Sequence, residues 1–179
     1  CAGGAGGMCL SGRHGDGFEY RGDPFSGDIA FSTWLQVKRT CNSAETTKII
    51  QFYSKSGEFT TFVSLELSCS QSSVTLKHYA RAASGNVKPI SPEISIQGLK
   101  RSSSKDGNLS PWYLVGFALA HGSGASVFAL PAEKNVASLV KTEPKWKLGI
   151  IDMLSSIKLF QLGSSSDTSS FQFDDVRFY

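Results

Sequence analysis

Long apolar runs, a basic stripe and grouped metal ligands are all missing from this sequence. No apolar run approaches the ~20 residues that a helix needs to cross a bilayer, so no membrane span is expected in this segment. Charged residues make up 18% of the chain, and the formal net charge is only +3. Because no basic stripe is interleaved with aromatic residues, this balance permits an acidic partner but predicts no binding of nucleic acid.

Closely spaced metal ligands are absent as well. The sequence has no CxxC pair, and its histidines, His14, His78 and His121, are scattered along the chain. Structural zinc sites need cysteine and histidine ligands at short spacings, so no metal site is predicted. No G-x-S-x-G sequence occurs to indicate a serine hydrolase, and the histidines are therefore expected at the surface.

Helical periodicity is also absent, and alternation of polar and apolar residues takes its place. About ten to twelve alternating segments follow one another at roughly ten-residue spacing, which is the pattern of an all-β sandwich or barrel. The sequence predicts an antiparallel β-sandwich, with a short helical turn at 133–141 as its one helical segment. Because no linker interrupts the pattern, one domain is expected at 17–179, after a Gly-rich N-terminal arm at 1–16.

Two features stand out within the predicted strands. Trp34 and Trp112 each lie in an alternating segment and are expected to be largely buried structural residues. The doubled Asp174–Asp175 shifts the alternation of the last segment by one residue, as a β-bulge or a short turn would.

The four cysteines are Cys1, Cys9, Cys41 and Cys69. An even number in a small β-rich chain favours disulfides and an oxidising compartment, with reduced cytosolic thiols as the alternative. Of the pairings that four cysteines allow, Cys1–Cys9 and Cys41–Cys69 are favoured. The first two bracket a Gly-rich segment that bends freely, and the other two each follow a predicted strand. An extracellular or cell-surface protein is therefore expected.

The order of several motifs is more informative than the number of strands. "GDGFEYRGDPF" precedes "IAFSTWLQVK", and "IIQFYSKSGEFTTFVSLEL" and "SVTLKHYA" come next. The later motifs are "PWYLVGFALAHGSGASVFALPAEKNVAS", "IKLFQLGSSS" and the closing "FQFDDVRFY". Over residues 17–179 this series resembles laminin G-like domains, which are concanavalin A-like jelly rolls. Trp34 and Trp112 stand where that family has its tryptophans.

The resemblance implies a jelly-roll sandwich and a function in adhesion or recognition. Such a module would bind a protein or glycan partner through its rim loops or a sheet face, beside other domains of a longer chain, without chemistry of its own. The family's "VDG" turn is replaced here by Leu130-Pro131-Ala132. Calcium needs about six to eight oxygen ligands, and Glu58 has no clear carboxylate partner, so no cofactor is expected and calcium is the open alternative.

Glycoside hydrolases also use this scaffold, so paired catalytic carboxylates are a further possibility. Such an enzyme needs two carboxylates about 5–9 Å apart. Glu66 and Glu93 each stand alone in their segments, and the adjacent Asp174 and Asp175 point to opposite faces of a strand. No catalytic residue is predicted. A lectin or glycoside hydrolase on the same scaffold, and a structural domain of a larger surface assembly, are the alternatives.

Candidate binding residues lie in polar loops. Lys100, Arg101 and Lys105 form a basic loop suited to sulfated glycans or an acidic partner, with 141–147 as a second lysine cluster. Asn108 begins the sequon Asn-Leu-Ser, which predicts glycosylation, although Pro111 directly after the serine disfavours it. Arg21-Gly22-Asp23 is interpreted as a plain turn.

Overall fold

The computed structural model describes residues 10–12, 18–20, 28–37, 46–56, 59–68, 72–99, 112–120, 123–133, 137–146, 156–159 and 171–179. All of their regular secondary structure is β-strand. The strands are β1 (Leu10–Gly12), β2 (Phe18–Tyr20), β3 (Ile29–Val37), β4 (Thr46–Ser56), β5 (Phe59–Ser68), β6 (Ser73–Ala82), β7 (Val87–Pro89), β8 (Ile94–Ile96), β9 (Tyr113–Ala120), β10 (Gly124–Pro131), β11 (Leu139–Glu143), β12 (Ser156–Leu159) and β13 (Phe171–Phe178).

These strands form two antiparallel sheets. Sheet A has six strands in the order β1-β13-β3-β9-β10-β11. Sheet B has seven strands: β2-β12-β4-β5-β6-β7 in order, with β8 paired to β6. The predicted all-β, antiparallel sandwich is confirmed. Because β1 pairs with β13, residues 10–12 of the segment expected to be an arm form a strand of sheet A.

The core lies between the two sheets and is built by alternation. In β9, Val115, Phe117 and Leu119 are buried. Leu114, Ala118 and Ala120, which alternate with them, are half-buried. The ring of Phe117 meets Phe52 of sheet B edge-on, with 5.5 Å between ring centroids. Side chains from both sheets therefore share one hydrophobic core, and burying each large apolar side chain stabilises the fold by roughly 1.5–3 kcal/mol.

One side of the sandwich is closed by β8 and by the segment after β11. Strand β8 pairs with β6 of sheet B and also contacts β10 and β11 of sheet A. Trp146 is 3% exposed, and its Nε1 donates a hydrogen bond of 2.7 Å to the carbonyl oxygen of Pro92. This contact anchors the segment after β11 on the segment before β8.

Trp34 and Trp112 are half-buried, which agrees with the expectation that they are largely buried, but neither belongs to the fully buried core. In β3 the neighbours of Trp34, Thr33 and Leu35, point into the core, so alternation places Trp34 on the outward face of sheet A. There it pairs across the strands with Leu114.

The predicted helical turn at 133–141 is also wrong over the described residues of that segment. Leu139–Glu143 is strand β11, which pairs with β10 in register from Ala129↔Leu139 to Ala125↔Glu143. Long-range pairing therefore overrides a weak local helical preference.

The bulge predicted for the last strand is confirmed. The register of β13 against β3 shifts between Asp174 and Arg177, and Asp175 adopts a φ of 52°. Arg177 turns back to make two contacts with the Asp175 carboxylate, at 2.7 and 2.8 Å. Among the described residues, no helix is long and apolar enough to span a membrane.

Candidate ligand-binding cleft

Most of the site residues predicted from the sequence lie outside the described residues. This applies to all four cysteines, to the basic loop and sequon, and to the calcium candidate: Cys1, Cys9, Cys41, Cys69, Lys100, Arg101, Lys105, Asn108 and Glu58. Arg21-Gly22-Asp23 lies outside as well. In the second lysine cluster, Lys141 is exposed and its Nζ lies 3.4 Å from the carbonyl oxygen of Ser95.

A different site is formed by buried polar side chains on the outward face of sheet B. In β5, Val63, Leu65 and Leu67 face the core, so the residues between them face outward. Ser64 and Glu66 are nevertheless only 0% and 6% exposed. Buried polar groups require hydrogen-bond partners, and here the neighbouring strands supply them.

A hydrogen-bond network joins Glu66 to β6. Ser64 Oγ donates to Glu66 Oε1 at 2.8 Å, and Lys77 Nζ contacts Glu66 Oε2 at 3.0 Å. Lys77 also lies 3.9 Å from Oε1 of Glu93, in the segment before β8. This network fixes the position of a nearly buried carboxylate.

Aromatic rings continue the same face of the sheet. Phe62 and Tyr79 are opposite each other on β5 and β6 and stack with 5.2 Å between ring centroids. The Tyr79 hydroxyl accepts a hydrogen bond of 3.0 Å from Nε2 of the buried Gln51. The guanidinium of Arg81 lies 5.3 Å above the Phe62 ring centroid, which is a cation–π arrangement. Phe62 thus contacts both Tyr79 and Arg81 and helps to order this end of the site.

Several of these side chains line a cavity of about 390 Å³, which we call the β6 cleft. This volume lies within the range of about 300–1,000 Å³ that is usual for small-molecule sites. The charged and aromatic residues that line the β6 cleft are Lys48, Glu66, Lys77, His78, Tyr79, Arg81 and Glu93. Val87 and Pro89 of β7 add an apolar wall.

The network sets the protonation of two groups in the cleft. Burial acts to lower the pKa of Lys77, but the hydrogen bond and the charge of Glu66, together with the charge of Glu93, raise it above its ordinary value. Burial, followed by the negative charge of Glu66, raises the pKa of Tyr79. At neutral pH the cleft therefore presents a cationic ammonium and a neutral phenol.

Glu66 and Glu93 each stand alone in their own segment, as expected, but the fold brings both to Lys77. Each carboxylate has one oxygen near Lys77 Nζ, at 3.0 Å for Glu66 and 3.9 Å for Glu93. These two oxygens are therefore at most about 6.9 Å apart. That spacing is compatible with glycoside hydrolysis, but such an enzyme also needs one carboxyl group to hold and donate a proton. Both carboxyl groups are instead engaged by the Lys77 ammonium.

His78 was expected at the surface, and this expectation is wrong. It is 1% exposed, its Nδ1 lies 2.8 Å from Ser91 Oγ, and its ring stacks on Trp146 with 5.2 Å between centroids. Burial lowers the pKa of His78 to about 4, so it is neutral at pH 7. Within the described ranges, no group of three or more His, Cys, Asp or Glu residues is placed to hold a metal ion.

Comparison with known proteins finds similarity only at the level of structure. No family model and no curated protein matches the sequence. Several solved receptor-binding domains of botulinum neurotoxins have a similar fold. The binding domain of neurotoxin DC, in complex with rat synaptotagmin II, superposes with a TM-score of 0.61 at 14% identity, covering 96% of this chain and 38% of that one.

Two further neighbours agree with this. The structure of neurotoxin type C, described as depending on two ganglioside molecules to enter cells, gives a TM-score of 0.58 at 11% identity. The binding domain of serotype D gives 0.52 at 9% identity. Each match covers 96% of this chain and 38% of the other. At these identities the similarity shows a shared β-rich, jelly-roll-like fold.

Proposed function

We propose that this chain is a non-catalytic glycan-recognition module and that the β6 cleft is its ligand site. The observation that carries the proposal is the Glu66 network. A nearly buried carboxylate, an ammonium and a phenol are held in fixed positions beside stacked aromatic rings. Sugar hydroxyls need such oriented donors and acceptors, and a sugar ring needs an apolar surface to pack against.

The structural neighbours support recognition over catalysis as the wider class of function. One is described in complex with a protein partner and another as dependent on gangliosides. The chain spans only 38% of each of these binding domains, so their partners are not transferred to it. A protein partner bound through the rim loops is the alternative within the same class.

The wider setting that we propose is extracellular, on a laminin G-like sandwich at 17–179 that follows the segment 1–16. Support comes from the even number of cysteines and from the order of the family motifs. In this setting the disulfides would be Cys1–Cys9 and Cys41–Cys69. Peptide mapping without reduction checks this part, and free thiols or crossed pairs would contradict it.

A glycan array tests the central part of the proposal. Glu66→Gln keeps the shape of the side chain but removes its charge and one ionic contact with Lys77. We expect wild-type protein to bind a restricted set of glycans and the variant to lose at least about tenfold in affinity, which corresponds to 1.4 kcal/mol. Glu133→Gln, at an exposed position after β10, is the matched control and should bind like the wild type.

Two results would overturn the proposal. One is an array with no bound glycan, and the other is equal glycan binding by the wild type and Glu66→Gln. Equal binding would move the ligand site to another part of the molecule, and the rim loops would then be the next candidate.

A further inference from the structure

We infer that the β6 cleft takes a saccharide that carries one carboxylate group, a sugar acid, in preference to a neutral sugar or a polysulfated glycan. The inference rests on the proposed function and names the ligand class for the same site. It is drawn from the order of charges along strand β6.

Three of the side chains that line the cleft lie in a row along β6. Lys77, Tyr79 and Arg81 alternate outward on the same face of this strand. The register places Glu66 opposite Thr75 at one end and Thr60 opposite Arg81 at the other. Thr75 and Arg81 are six residues apart, so the two ends are separated by roughly 20 Å of strand. A groove of this form suits an oligosaccharide.

At one end, the Glu66 network suits hydroxyl groups. An ionised carboxylate has about four acceptor sites, of which Ser64 and Lys77 occupy one each. Glu66 can therefore accept hydrogen bonds from sugar hydroxyls while remaining paired. Because Lys77 is already shared between Glu66 and Glu93, it is poorly suited to bind an anionic group of the ligand.

At the other end, Arg81 suits a carboxylate. Its guanidinium lies over the Phe62 ring, 5.3 Å from the ring centroid, and Arg81 is exposed, so its N–H edge can reach a ligand. That edge presents parallel donors with the geometry that a carboxylate accepts in a bidentate pair. Tyr79 lies between Arg81 and Lys77 on the strand, where its ring and hydroxyl can contact the sugar.

The total charge of the lining separates the ligand classes. Lys48, Lys77 and Arg81 exceed the two carboxylates by one positive charge, which favours a single anionic group over none. A polysulfated chain would bring several negative charges next to Glu66 and Glu93, and like charges at close range disfavour binding. One carboxylate at the Arg81 end avoids that repulsion.

The experiment is an ¹⁵N–¹H NMR titration of the whole chain. The sugar-acid probes are methyl β-D-glucuronide and methyl α-N-acetylneuraminide. Methyl β-D-glucoside has the glucuronide ring without the carboxylate, and a heparin tetrasaccharide represents sulfated glycans. We expect at least one sugar acid to shift the amides of Lys77, Tyr79 and Arg81, with a Kd at least tenfold below those of the glucoside and the heparin fragment.

Two variants locate the preference. Arg81→Gln, at an exposed position, should bring the Kd values of the sugar acid and the glucoside to within about twofold of each other. Lys88→Gln removes a positive charge from the neighbouring β7, where Lys88 is paired with Ala80 on the alternate face. It should keep the wild-type preference, and unchanged spectra away from the cleft will show that both variants are folded.

Each remaining outcome counts against the inference in its own way. Equal binding of glucoside and sugar acid overturns the acid preference but leaves the cleft as a glycan site. Tightest binding of the heparin fragment overturns the charge argument. If neither sugar acid shifts the cleft amides, the inference fails, while the array with Glu66→Gln decides separately whether the cleft binds any glycan.

Discussion

At the scale of single residues, His78 is a buried base whose protonation the fold opposes. Its pKa is about 4 in the folded protein, against 6.5 for an ordinary histidine. Above pH 6.5 the side chain is neutral in both states, and its titration does not change stability. Between pH 6.5 and 4 the unfolded chain binds a proton that the folded protein does not, so stability falls as the pH falls.

We therefore expect the free energy of unfolding to drop by about 3 kcal/mol between pH 7 and pH 4 through this group, at ~1.4 kcal/mol per pKa unit. Urea denaturation at several pH values measures it. His78→Gln removes the titrating group and should flatten this part of the profile. An unchanged profile in the variant would show that other groups cause the acid sensitivity.

Gly116 is a second position where one residue decides packing. A Cβ at this position would overlap the backbone carbonyl oxygen of Phe31 and lie 2.6 Å from the ring of Phe128. The carbonyl belongs to the strand that pairs with β9 and cannot move without disturbing sheet A. Gly116→Ala should therefore destabilise the protein by about 1–3 kcal/mol or more.

A matched substitution isolates the cause of that loss. At Gly98 an added Cβ meets no atom within 4 Å, although its φ of +82° makes alanine strained there. Gly98→Ala thus reports backbone strain without overlap. Thermal or urea unfolding of both variants measures the two losses of stability. A Gly116→Ala variant as stable as the wild type would contradict the predicted overlap with the Phe31 carbonyl oxygen.

At the scale of elements, Trp146 connects two strands that are distant in sequence. It anchors the segment after β11 on the segment before β8 and packs on His78. Trp146→Phe keeps an aromatic ring but leaves the Pro92 carbonyl without this donor, which should lower stability by about 1–2 kcal/mol. Trp112→Phe, at a half-buried position, is the control and should lose less in urea denaturation. Equal losses would contradict a specific role for the Trp146 contact.

Alternation along the sequence was enough to predict most elements and the bulge at Asp174–Asp175. The same alternation places His78 on the inward face of β6, because it follows Val74 and Leu76 at a spacing of two residues. Following that series would have predicted burial of His78. Similarly, the inward positions of Thr33 and Leu35 required Trp34 to face outward.

The β6 cleft could not be predicted in this way. Glu93 follows Pro92 in an irregular segment and reaches Lys77 only because β8 pairs with β6. That pairing is a long-range property, and nothing in the local pattern around Glu93 or Glu66 indicates it. The convergence of two carboxylates on one lysine therefore became visible only in the folded chain.

At the scale of the whole molecule, we propose a sandwich that binds glycans without cleaving them. Lys77 contacts both carboxyl groups of the cleft, and we expect neither to act as the proton donor of a hydrolase. Prolonged incubation with any bound oligosaccharide should yield no product by mass spectrometry. Cleavage by the wild type that is lost in Glu66→Gln or Glu93→Gln would contradict this.

The most direct test of the central claim is the location of bound glycan on the protein. An ¹⁵N–¹H NMR map with the strongest ligand from the array measures it for every amide. We expect the largest changes in amide chemical shift on β5 and β6, around Glu66, Lys77 and Tyr79. Shifts confined to sheet A or to loops away from β5 and β6 would contradict the claim that the β6 cleft is the ligand site.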